Sequence, residues 1–99
     1  MLVEHSHLSI HEGREDAFVN TMNAVGIPLL LAVNGVRTVR MGRSVEQPDR
    51  FILLVEWESM DAHIAFTKAP AFPDFRSIVS PFAKGGGMEH FLMKEPAST

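Results

Sequence analysis

The sequence predicts an α+β fold of ferredoxin-like order, β-α-β-β-α-β, in which a four-stranded antiparallel sheet carries its helices on one face. Three observations predict it. The run Phe51 to Glu58 is apolar on both alternating sets, with Phe51, Leu53, Val55 and Trp57 on one and Ile52 and Leu54 on the other, as in a strand covered on both faces. After Ser59, a good N-cap, the apolar period changes from two to about 3.6. Alternating runs also stand near each end of the chain, at Leu2–Ile10 and Met88–Lys94. Ninety-nine residues make one domain, 1–99.

In chain order, Leu2–Ile10 reads as a half-polar strand: Leu2, Glu4, Ser6, Leu8 and Ile10 share one face, and Val3, His5, His7 and Ser9 the other. His11-Glu12-Gly13 is a turn, and Glu15 and Asp16 then stand where the positive end of a helix dipole favours acids. Phe18, Met22, Val25 and Leu29 form the expected buried stripe of that helix. Pro28 cannot donate a hydrogen bond to Ala24, so a kink or break is expected near Ile27, with Asn34-Gly35 as the stop. Val36–Val45 is the second strand, and Gln47-Pro48-Asp49-Arg50 turns it into the third as a hairpin.

Beyond Ser59, the wheel puts Met60, His63, Ile64, Phe66 and Thr67 on one arc, which points His63 toward the sheet. Pro70 and Pro73 punctuate the chain before a short helix at Asp74–Val79, closed by Pro81. Gly85-Gly86-Gly87 reads as a flexible hinge rather than a phosphate loop, because it lacks the lysine and the strand-to-helix setting. Glu95–Thr99 is a tail. Helices on one face leave the other face of the third strand wet, and each large aliphatic there forfeits roughly 1.5–3 kcal/mol. A second copy of the chain is the simplest cover.

Composition excludes several classes. The net charge of -3 offers no basic stripe to a nucleic acid. Zero cysteines remove disulfides, thiolate metal sites and cysteine nucleophiles together, and fit a reducing cytoplasm. The N-terminus has no signal-peptide pattern, and no apolar run approaches the ~18 residues of a membrane span. The expectation is a soluble cytoplasmic protein.

The apolar strand followed by Glu56-Trp57-Glu58-Ser59, a short helix and Ala69-Pro70-Ala71-Phe72 resembles the antibiotic biosynthesis monooxygenase (ABM) family. So do Gly13-Arg14-Glu15, Arg43-Ser44-Val45-Glu46 and Pro81-Phe82, so the likeness spans nearly the whole chain. It implies a dimeric α/β barrel, two sheets packed face to face, with a pocket in each subunit between sheet and helices. Family members include cofactor-free quinol and anthrone monooxygenases and haem-degrading enzymes. The haem degraders use an asparagine, a tryptophan and an axial histidine where this chain has Ser6, Phe66 and Arg76, and arginine is no iron ligand. Many quinol-oxidising members hold a histidine where this chain has Phe66, and His63 lies one helical turn earlier.

Among single residues, His63 is the first candidate for catalysis, since a sheet-facing imidazole takes a proton near neutral pH. His7 is the second. A histidine in that helix also serves simply as a core residue. Trp57 either stacks on a flat ligand or fills the junction of strand and helix. Phe66, Phe72, Phe75 and Phe82, with Ser6, Trp57 and Arg76, are the expected pocket lining, although core packing needs the same aromatics. His5 and His7 share a strand face but fall one or two ligands short of a metal site, so no metal is expected, and the resemblance to cofactor-free members implies no cofactor.

Two functions remain. One is a cofactor-independent monooxygenase acting on a quinol- or anthrone-like small aromatic molecule, with His63 or His7 removing a proton before dioxygen reacts. The other is a non-catalytic homodimeric small-ligand-binding or stress-related protein of the same fold.

Overall fold

The apolar run identified above is the strand that orders the molecule. In the computed structural model, which describes residues 1–99, it forms β3 (Arg50–Trp57), hydrogen-bonded on one side to β2 (Val36–Arg43) and on the other to β1 (Leu2–Ile10). β4 (Ala83–Leu92) closes the far edge, giving the antiparallel order β2-β3-β1-β4. This is the expected open ferredoxin-like sheet.

Pleating then decides which residues are buried. Phe51, Leu53, Val55 and Trp57 point to the helices and are no more than 3% exposed, while Ile52, Leu54 and Glu56 point away and stay partly exposed. Cross-strand register puts Glu4 opposite Val55 and Ser6 opposite Leu53, so these two polar groups of β1 share the core side with large apolar ones. On the opposite side no element of this chain covers Val3, Ile52, Leu54 and Phe91.

The helical layer begins with α1 (Glu15–Thr21) and reaches α2 (Ile27–Leu31) through a widened turn, Met22–Gly26. Of the kink or break expected near Ile27, the break is absent, since the helix continues to Leu31. In its place the Ile27 N–H reaches back five residues to the Met22 carbonyl, and this wider turn accommodates Pro28, which has no N–H to offer. The inserted residue also rotates the buried stripe. Phe18 and Met22 are buried as expected, but Val25 is 49% exposed and Gly26 and Leu30 take the inward positions.

α3 (Met60–Thr67) starts at Ser59, whose hydroxyl accepts from the Ala62 N–H at 3.1 Å. Of the arc expected to face the sheet, His63 and Phe66 are buried, whereas Met60 and Ile64 are 40% and 43% exposed and Thr67 is exposed. A helix this short turns one residue per turn inward when it covers the end of a sheet. α4 (Ala71–Val79) begins a turn earlier than the Asp74 start expected from Pro73, because proline is tolerated in a helix's first turn.

Two glycine sites differ in kind. Gly85-Gly86-Gly87 is no hinge: all three lie inside β4, and a Cβ on Gly86 would run into the His7 carbonyl oxygen of β1. Gly35 ends the α2 connection with φ 89°, its carbonyl accepting from the Glu58 N–H at 2.7 Å. A Cβ there would collide with Ala62 on α3. Gly35→Ala therefore combines left-handed strain with overpacking and should destabilise the fold by about 2–4 kcal/mol, read as a lower urea midpoint at unchanged m-value.

Candidate functional site

Between the sheet and α3–α4 lies a cavity of about 420 Å³. Its walls are mostly apolar, from Leu30, Leu53, Val55, Phe66, Phe72 and Phe75, and its polar groups gather at one end. That end is built around Glu4, which is 8% exposed on the core face of β1. Its Oε1 accepts from Trp57 Nε1–H at 2.9 Å, and its Oε2 from the Ser6 hydroxyl at 3.0 Å. A buried carboxylate costs several kcal/mol unless partners replace its water, and Trp57 and Ser6 supply them.

Two imidazoles complete the cluster. His63 Nε2 stands 3.4 Å and His90 Nε2 3.9 Å from the same Glu4 oxygen, and the two rings meet edge to face at 4.3 Å between centroids. His63 turns Nε2, not Nδ1, toward the Glu4 carboxylate. That Nδ1 is buried and has no hydrogen-bond partner. Trp57 flanks the His63 ring edge-on at 5.3 Å.

Burial pushes the His63 pKa below 6.5, chiefly by desolvating the imidazolium; the Glu4 charge opposes the shift and His90 adds to it. With the folded pKa lower than the unfolded one, the unfolded chain binds more protons below pH 6.5. Stability from this group is complete above the unfolded value and is lost as pH falls through the folded one. Glu4 and His90 are the titratable groups facing the ring. The urea midpoint should fall as pH drops through 6.5 toward the lowered folded-state value, and His63→Gln should flatten that part of the profile.

The structure brings His63, Ser6, Trp57, Phe66, Phe72, Phe75 and Arg76 together around the cavity. Two expected residues lie elsewhere. His7, opposite Ile52 in register, projects from the other face of the sheet, because it is one residue out of phase with Ser6 and Leu8. Phe82 packs edge-on against Phe18 at 5.8 Å in the core at the far end of the sheet, under the Arg14 guanidinium. Neither Glu4 nor His90 stands out in the sequence as a site residue. The signal for Glu4 was a lone carboxylate on the face shared by Leu8 and Ile10.

The family model described as Antibiotic biosynthesis monooxygenase matches residues 1–77. The chain belongs to the antibiotic biosynthesis monooxygenase family. A Bordetella bronchiseptica protein bearing the same family name superposes with a TM-score of 0.85 at 29% identity, over 95% of this chain and 97% of that one. A Deinococcus radiodurans protein, again with that family name, superposes at 0.80 over 100% of this chain and 98% of its own, and at 12% identity it speaks for the fold alone. Uncharacterized protein YczJ of Bacillus subtilis (strain 168) is 25% identical over 83 residues, covering 83% of this chain and 86% of its own.

Ser6, Phe66 and Arg76 all line this ABM family member's cavity and so face whatever binds there. Phe66 closes the wall with an aromatic ring, packed at 5.4 Å against Phe72. No helix is long and apolar enough to cross a membrane.

Proposed function

We propose that the chain is a cofactor-independent monooxygenase whose substrate is a flat quinol- or anthrone-like aromatic held in the cavity. The observation that carries this reading is the His63 imidazole at the cavity wall, with one nitrogen turned to Glu4 and the other, Nδ1, buried and unpaired. An imidazole nitrogen with no partner of its own is available to accept a proton from a bound acid.

The chemistry needs little more from the protein. His63 Nδ1 takes the proton of a phenolic O–H or of the acidic C–H of an anthrone, leaving an electron-rich anion. The anion gives electrons to dioxygen and forms a carbon–oxygen bond; loss of water from the resulting hydroperoxide leaves a new carbonyl. One oxygen atom ends in product and one in water. Phe66, Phe72 and Phe75 supply the faces on which a ring stacks and exclude solvent from the anion. Ser6 and Arg76 are the polar groups available to a substrate oxygen.

The reading includes a cytoplasmic homodimer in which the uncovered faces of two sheets meet, since Val3, Ile52, Leu54 and Phe91 otherwise lie against water. The test is oxygen uptake by chelator-treated protein with a panel of hydroquinones and anthrones. Uptake above background with a quinone product supports turnover. Binding of these aromatics with no uptake from any of them would instead favour a non-catalytic ligand-binding or stress-related role for the same cavity.

A further inference from the structure

Glu4, His63 and His90 come from β1, α3 and β4, and one ligand atom of each lies within 4.8 Å of the others. We infer that these three residues form a site for a divalent transition-metal cation at the polar end of the cavity. Two imidazoles and one carboxylate are the donor set that zinc, cobalt and ferrous iron accept, with further positions left open.

The geometry already has the right scale. Metal–ligand bonds of about 2.0–2.1 Å set neighbouring donors about 3.3 Å apart in a tetrahedral site. The Glu4 Oε1 to His63 Nε2 distance is 3.4 Å, and that to His90 Nε2 is 3.9 Å. A second observation is independent of those distances. His90 Nε2 is buried with no hydrogen-bond partner, although buried imidazole nitrogens ordinarily find one, and it faces the Glu4 oxygen from beyond hydrogen-bond range. Glu4 is also oriented by outer partners, Trp57 Nε1 and the Ser6 hydroxyl, as metal-ligating carboxylates are. Glu4 and His63 both line the cavity, so an open coordination position would face it.

Metal binding would change what His63 can do. A cation on Nε2 requires the lone pair there, which moves the imidazole proton to Nδ1. That is the nitrogen given the role of base above, so the metal-loaded and the proton-accepting forms exclude one another. The site itself does not depend on the proposed oxidation.

The test is titration of chelator-treated protein with Zn²⁺ by calorimetry and with Co²⁺ by visible absorption, without any aromatic substrate. Saturation at one cation per chain, with cobalt d–d bands of a four- or five-coordinate site, is expected. His90→Ala, Glu4→Gln and His63→Gln should each weaken binding by more than the roughly 10–100-fold that loss of an outer-shell partner costs. His5→Ala and His7→Ala, on the opposite face, should leave it unchanged. His90 is the least buried of the three, so His90→Ala is the variant least exposed to misfolding, and its circular dichroism should match the parent. Absence of one-per-chain binding, or binding that survives His90→Ala or is lost with His5→Ala or His7→Ala, overturns the inference. Because no turnover is read, failure here leaves the oxidation test standing, and failure of that test leaves this one.

Discussion

His63→Ala should lower the rate of oxygen uptake by roughly 10²–10⁴-fold, about 3–5 kcal/mol of barrier, with the substrate KM changed little. Loss of the proton acceptor is the whole of the effect, because the cavity walls at Phe66, Phe72 and Phe75 are untouched. The pH profile separates this from a structural loss. The base works deprotonated and its pKa lies below 6.5, so wild-type uptake should rise as pH climbs through that lowered value and gain nothing further from this group above 6.5. His63→Ala should lose that limb. Phe66→Ala should act through KM, since it deletes a stacking surface and leaves Nδ1 in place. Uptake that persists at the parental rate in His63→Ala would end the assignment of this imidazole as the base.

Leu54→Asp should abolish the proposed homodimer, raising its Kd by roughly 100-fold or more, which is about 3 kcal/mol. Leu54 lies three residues before Trp57 on β3, on the face turned from the helices, opposite His5 in register and partly exposed in the single chain. An aspartate there stays hydrated in a monomer and would be stripped of water in a dimer. Sedimentation equilibrium should give twice the chain mass for the parent and the chain mass for the variant, with unchanged far-ultraviolet circular dichroism because the core face of β3 is not involved. A parent protein that sediments as a monomer at micromolar concentration would remove the dimer from the reading.

The two experiments probe opposite faces of the sheet, His63 from α3 over the core face and Leu54 on the outer face of β3. β3 places Leu53, Val55 and Trp57 against the cavity and Ile52 and Leu54 against the outside, so substitution on either face should leave the other nearly intact. Variants that lose both uptake and assembly would point to a damaged fold rather than to either role.

Where the sequence was misleading, the cause is traceable. Helical periodicity assumes 3.6 residues per turn, and the widened turn at Met22–Gly26 breaks that assumption, which is why Leu30 and not Leu29 completes the buried stripe. Glycine runs usually signal freedom, yet Gly86 is held inside β4 because its neighbour's backbone comes too close for a side chain. His7 and Ser6 are adjacent in the chain and on opposite faces of the sheet, so a role for His7 in the cavity fails on phase alone.

The chain by itself determined the four strands, their order with the helices, the burial of Trp57 and the inward aim of His63, because alternation and capping are local properties that a strand or helix must satisfy wherever it packs. Only the tertiary structure decided that Glu4, His63 and His90 converge. Those residues are dozens of positions apart, and what unites them is the cross-strand register of β1 with β3 and β4 and the angle at which α3 crosses the sheet, neither of which any local pattern encodes.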